Sequence, residues 1–152
     1  MITATETEVV PYRAEDGLEM LRQVDVDFPD AEEWCRDAEG EGRAWSIVYK
    51  GIMVCCAGVL HKTDGIGLAW ALYPPGIGKY HIDPNIAKDC IAEAAKRFNY
   101  RRIEATVRED FPIGHSYIRW LGFQVEGLLR CYEPDGTNAF MYSRIWKNGH
   151  SS

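Results

Sequence analysis

Leu121-Gly122-Phe123-Gln124-Val125-Glu126-Gly127-Leu128-Leu129-Arg130 is the stretch on which the fold turns. Gly122 closes a short helical segment around Gly114 to Leu121, and Phe123 opens a strand-like run through Gln124 to Tyr132. A helix that stops at a glycine and becomes a strand at once needs a backbone open to positive φ and a buried ring to pin the corner. Downstream, Pro134-Asp135-Gly136 is a turn and Ala139 to Trp146 a second run, so the two runs close as a hairpin. Upstream, Tyr100-Arg101-Arg102 leads into a strand from Ile103 to Val107.

Farther from that corner the pattern changes period. Asp83-Pro84 opens a helix as N-cap and first helical residue, and Ile86, Cys90, Ile91 and Ala94 give it a buried stripe as far as Phe98. Pro74-Pro75-Gly76-Ile77-Gly78 ends the strand Gly65 to Tyr73, which follows the turn Lys62-Thr63-Asp64. Ala44 to Tyr49 and Ile52 to Leu60 meet at Lys50-Gly51, a hairpin signal, and the three runs make an antiparallel meander. Before them lies a helix from Asp30, with Asp30 as cap, Glu33 at the capping-box position and Trp34 as apolar anchor, ending at Gly40 or Gly42. Ala14 to Val24 is another helix, carrying Leu18, Met20 and Leu21, and Glu8 to Tyr12 a first strand. The order is β-α-α-β-β-β-α-β-α-β-β. It is the pattern of an α/β (α+β) chain of seven strands and four helices.

At 152 residues and 17.3 kDa the chain is expected to be one domain over residues 1–146, with a loose tail at 147–152. Composition is that of an ordinary globular protein, 46% apolar and 26% charged, which excludes disorder, collagen and coiled coil. No run of 18 apolar residues occurs and Met1 to Glu8 is polar and acidic, so a soluble, cytoplasmic protein without membrane contact is expected. The net charge of −6 argues against duplex nucleic acid as a partner. Its distribution is uneven: residues 1–42 hold 13 acids and three bases, residues 43–152 ten acids and 14 bases. The acidic end can attract cations, while the other tolerates anions. Cys35, Cys55, Cys56, Cys90 and Cys131 form no C-x-x-C pair and read as reduced core thiols, Cys55 and Cys56 on opposite faces of a strand. No metal site is expected.

On the order of elements, and on Arg101 to Val107, Leu121 to Arg130, Asp135-Gly136 and Phe140-Met141-Tyr142-Ser143-Arg144, the chain resembles the GCN5-related N-acetyltransferase (GNAT) superfamily. The resemblance spans nearly the whole chain, is most specific at Gly122-Phe123 to Gly127, and implies the GNAT fold, a mixed, mostly antiparallel seven-stranded sheet flanked by about four helices. Phe28-Pro29-Asp30-Ala31 and Ser116 to Leu121 resemble small proteins of tailed phages, including an internal virion or assembly protein of short-tailed phages.

That resemblance implies acyl transfer from acetyl-CoA to an amine, with the coenzyme diphosphate on a glycine-rich loop before the central helix. Two stretches compete for that role. Set against the helix, the loop is Gly78 to Pro84, with Lys79 replacing the family's Arg or Gln, Ile82 its middle glycine, and Pro84 lacking a donor. Gly76-Ile77-Gly78-Lys79 has the glycines and the cation, but lies several residues earlier. The family's proton donor, a Tyr five residues before the Phe of the G-F pair, falls on Ile118, with Tyr117 adjacent and about 100° away on a helix. His115 and Ser116 are other donors, or caps, and Glu104, Asp64, His61 and Glu109 are candidate bases. The expected partner is an amine, small molecule or protein, near the acidic helices; a homodimer is possible. The alternative is a catalytically silent, GNAT-like phage protein acting in virion assembly or on a host protein, with the virion as its location. A relative that modifies nucleobases fits less well.

Overall fold

The computed structural model describes residues 6–23, 28–80, 82–83, 85–147 and 150–151. Asp25 and Asp27 of the acidic segment, the helix end at Val24, His81 and Pro84 lie outside the described residues.

The elements are β1 (Thr7–Pro11), α1 (Ala14–Gln23), α2 (Ala31–Glu41), β2 (Ala44–Tyr49), β3 (Ile52–Thr63), β4 (Ile66–Leu72), a 3-10 turn (Ile77–Tyr80), α3 (Asn85–Arg97), β5 (Arg102–Arg108), α4 (Pro112–Trp120), β6 (Gln124–Leu129), β7 (Ala139–Lys147) and the two-residue β8 (His150–Ser151). Seven strands run in the order β1-β2-β3-β4-β5-β7-β6. Pairing is antiparallel for β1 with β2, β2 with β3, and β7 with both β5 and β6, and parallel for β4 with β5. The mixed, mostly antiparallel sheet with four helices is the architecture expected from the sequence. At the C-terminus Trp146 pairs with Ser151 and Lys147 with His150, so the segment expected as a loose tail holds a short antiparallel pairing.

Contacts divide the chain into two compact units, residues 1–60 with 70–86, and residues 61–69 with 87–152. In the first, the β2–β3 hairpin turns on Lys50 and Gly51, both at positive φ (50° and 81°), which is the twist a two-residue hairpin needs. The alternation of β3 sends Cys56 to a cluster with Tyr12, Met20 and Ala38, and Cys55 to another with Ile47, Tyr49 and Val54. Burial pushes the Cys55 and Cys56 thiols up to about 12, so both are inert apolar filler at neutral pH. Trp34 anchors α2 as expected, edge-on to Phe28 at 5.5 Å and to Trp70 at 4.8 Å.

The cap of α2 differs from expectation. Asp30 sits in the left-handed region (φ 56°), and its carboxylate makes no hydrogen bond to the helix. The Phe28–Trp34 contact folds the entry so that only the Asp30 carbonyl joins, accepting from the Trp34 N–H at 3.0 Å. The helix ends on Gly42, whose N–H donates to the Glu39 carbonyl at 3.1 Å.

In the second unit, Gly122 has φ 95° and directs the chain from α4 into β6. The Phe123 N–H donates to the Ile118 carbonyl at 3.2 Å, and the Phe123 ring is 2% exposed. Ile103 and Ala105 are buried on β5, while Val107 is only half-buried. α4 begins at Pro112, two residues earlier than the glycine suggests, because proline is well placed at a first helical position. His115 and Ser116 therefore sit inside the helix and do not cap it.

Candidate functional site

The loop before α3 is built outward from an apolar anchor. Ile77 and Tyr80 pack, with Ile82 and Ile86, on the Ile47–Tyr49–Val54–Cys55 cluster, and Tyr80 lies edge-on to Tyr49 at 6.0 Å. Between these anchors Gly76 takes φ 78°, and the Lys79 N–H donates to its carbonyl at 3.1 Å, closing the 3-10 turn. A side chain at Gly76 would meet nothing within 4 Å, so a ligand can approach the backbone there closely. Lys79 is exposed, its Nζ 5.1 Å from the Tyr80 ring centroid. Gly76 and Lys79 thus present an open stretch of backbone and one cation, a pair that fits a diphosphate.

The first residues of α3 do not fit one. Asp83 accepts the Asn85 N–H on its carboxylate at 3.0 Å, and the Ile86 N–H on its carbonyl at 3.1 Å. The N-cap role foreseen for Asp83 is present, and for that reason the helix end is already served by an internal anion.

The candidate catalytic residues Glu104, His115 and Tyr117 lie in the second unit. The His115 imidazole is fixed at both nitrogens: Nε2 lies 2.8 Å from the Arg108 carbonyl and Nδ1 2.8 Å from the Tyr142 hydroxyl. A carbonyl can only accept, so Nε2 carries the proton, and in the neutral ring Nδ1 accepts from Tyr142. Tyr142 is fully buried on β7. Tyr117 is 48% exposed and stacks on Trp120 at 6.4 Å, whereas Ile118, at the position where the family has its Tyr, is buried. One residue of helical rotation separates the outside of α4 from its inside.

Glu104 stands in a charged cluster. Its side chain is nearly enclosed, the residue 7% exposed, and Oε1 accepts from Lys62 Nζ at 2.5 Å while Oε2 accepts from Arg102 Nε at 2.8 Å. Arg102 also forks onto Glu126 with two bonds of 2.7 Å, and the Ser143 hydroxyl donates to Glu126. Burial raises the proton affinity of Glu104, but Lys62 and Arg102 together outweigh it, and the net shift is below the usual carboxylate range. Arg102 and then Ser143 hold Glu126 down at about 2. In this arrangement Glu104 binds cations well and protons poorly, the opposite of what a general base needs.

Ala105 pairs with Tyr142, and residues facing one another across an antiparallel pair share a face. Glu104, one residue away, therefore projects to the other face, so the sheet separates Glu104 from the His115–Tyr142 pair. The structure does not bring the three candidates into one cluster. The remaining candidates are engaged in turns and ring contacts: Asp64 accepts on its carbonyl from Arg101 at 2.9 Å, Glu109 accepts from Asn138 at 3.0 Å, and the His61 ring lies 6.4 Å from that of Tyr100. Sequence reasoning missed Lys62, Arg102, Ser143 and Tyr142. Lys62 and Glu104 are 42 positions apart, and nothing local joins them. Lys62 lies on β3 and Glu104 on β5, with β4 between them in the sheet order, and β4 pairs with β5 at Ile66↔Arg102, Gly67↔Ile103 and Leu68↔Glu104.

Among the described residues no group of three or more His, Cys, Asp or Glu could hold a metal ion, and no helix is long and apolar enough to cross a membrane. No protein-family model matches the sequence, and no curated protein sequence is similar enough to count as a relative. Solved structures are similar in fold. A RimL ribosomal L7/L12 alpha-N-protein acetyltransferase in complex with coenzyme A superposes with a TM-score of 0.74 at 14% identity, over 95% of this chain and 96% of that one. Ard1 from Thermoplasma volcanium gives 0.78 at 13%, over 92% and 97%. The ribosomal-protein-S18-alanine N-acetyltransferase from Escherichia coli gives 0.73 at 16%, over 90% and 92%. The fold of this chain is that of the GCN5-related N-acetyltransferases.

Proposed function

We propose that the chain belongs to the GNAT superfamily and is an acyl-CoA-dependent N-acetyltransferase whose acceptor is a primary amine, with the α-amine of a protein as the favoured class. One observation carries the reading: the fold matches, over nine-tenths or more of both chains, structures named as N-acetyltransferases, one of them with coenzyme A bound. Fold alone does not fix chemistry, so the loop matters. Gly76 and Lys79 offer the close backbone approach and the cation that the coenzyme's phosphates need. Acetyl-CoA supplies the activated acyl group as a thioester.

The chain's own residues then position and attract. Direct attack by an amine requires chiefly that the nucleophile be held against the carbonyl and lose a proton. Glu15, Asp16, Glu19, Glu32 and Glu33 give α1 and α2 an acidic surface, which raises the local concentration of a cationic acceptor. The His115–Tyr142 pair is fixed on the opposite sheet face from Glu104 and acts as a positioning element for α4, with no proton assigned to it.

The direct test is release of free coenzyme A thiol from acetyl-CoA on adding short peptides with a free or an acetylated N-terminus. The reading expects thiol release with the free amine and none with the blocked one. Protein that binds acetyl-CoA but releases no thiol with any amine would instead support a silent, GNAT-like protein acting by binding.

A further inference from the structure

We infer that Glu104 is the ammonium-binding group of the acceptor site and that Lys62 is its built-in occupant, a side chain the acceptor must displace. The inference rests on the N-acetyltransferase reading for the identity of the acceptor, but its geometry stands apart from the coenzyme.

Three observations carry it. Glu104 forms the last of three β4–β5 pairs, although β5 continues to Arg108, so it lies where that pairing ends. Its carboxylate is nearly enclosed, and one of its two oxygens is already served by Arg102. The other accepts from Lys62 at 2.5 Å, a side chain that is 52% exposed and can leave without unpacking a core.

The charge balance gives the site its selectivity. Glu104 and Glu126 face two cations, Arg102 and Lys62, and Arg102 is locked by bonds to both carboxylates. With Lys62 swung out, the cluster carries one uncompensated negative charge, and the nearly buried Glu104 carboxylate loses a partner that is costly to leave unreplaced. An incoming primary ammonium, with the three donors of a lysine head group, restores the balance on the same oxygen. The exchange conserves charge and hydrogen bonds. It therefore discriminates a charged primary amine from a neutral hydroxyl, and sets a cost on binding equal to the fraction of time Lys62 is away.

The test uses the full-length chain with n-butylammonium as probe, read by the side-chain carboxyl NMR resonance of Glu104. Lys62→Met removes the occupant, and Lys62→Arg keeps a cation there. If Lys62 fills the site nine-tenths of the time, Lys62→Met responds to the probe at about tenfold lower concentration than wild type. Lys62→Arg should behave like wild type, and Lys62→Met combined with Glu104→Gln, followed through the n-butylammonium signal because the carboxyl resonance is gone, should show no broadening of the probe on adding protein. Should Lys62→Met fail to fold, judged by its melting temperature, Lys62→Gln takes its place. Equal responses in wild type and variant, or none in the variant, overturn the inference. A variant that binds the probe more tightly, yet shows no fall in KM for an amine acceptor, also overturns it. If acetyl-CoA neither binds nor reacts while the probe result holds, the acetyltransferase reading fails and the ammonium site stands.

Discussion

The corner from Ile118 to Phe123 and the approach to α3 from Gly76 to Asp83 both redirect the chain at the end of a regular element, yet they are built in opposite ways. At the corner, positive φ at Gly122, the 3.2 Å bond from Phe123 to the Ile118 carbonyl and the buried ring all act on neighbouring residues. Before α3, the apolar anchors Ile77 and Tyr80 pack on β2 and β3, some thirty residues earlier in the chain, leaving Gly76 and Lys79 facing outward. Local chemistry specifies the first junction. The second is specified by distant packing, which frees its backbone for a ligand.

The largest effect should come from breaking the corner. Phe123→Ala removes a ring that is 2% exposed and is expected to cost about 3–5 kcal/mol of stability, read by chemical denaturation. A variant that unfolds with wild type would mean that this ring does not pin the corner. Next, Tyr142→Phe leaves His115 Nδ1 without its hydroxyl partner and should cost about 1–3 kcal/mol. Chemical denaturation of wild type and variant reads the loss, and equal stabilities would mean that this hydroxyl does not hold the ring.

This ordering follows what the sequence could reveal. Gly122-Phe123 was legible because each residue's role is fixed by its neighbours, and the Lys50-Gly51 hairpin for the same reason. Asp30 was misread because its capping role depends on backbone angles that the Phe28–Trp34 contact imposes. The Glu104 cluster was half legible. In the sequence Glu104 is only one of four candidate bases, and Lys62, Glu126 and Ser143 join its cluster through strand register, which no local pattern encodes.

A smaller effect concerns pH. The Glu126 carboxyl is held at about 2 by Arg102 and Ser143, against an ordinary 4.5. A folded-state value below the unfolded one means that the unfolded chain binds more protons between them, so this contribution is present above pH 4.5 and lost as pH falls toward 2. Glu126→Gln should flatten the acid limb of the stability curve in that window, and an unchanged limb would count against the Arg102 fork. The smallest effect belongs to Asp30→Gly. Without a side-chain cap bond to lose, and with a residue that suits φ 56°, it should leave thermal stability unchanged or slightly raised, where loss of a true cap bond would lower it.

The measurement that bears most directly on the account is a calorimetric titration of acetyl-CoA into wild-type protein and into Gly78→Val with Lys79→Ala. The account predicts saturable binding by wild type and its loss in the double variant, with both proteins melting at similar temperatures. Absence of binding to wild type, or equal affinity in a folded double variant, would contradict it.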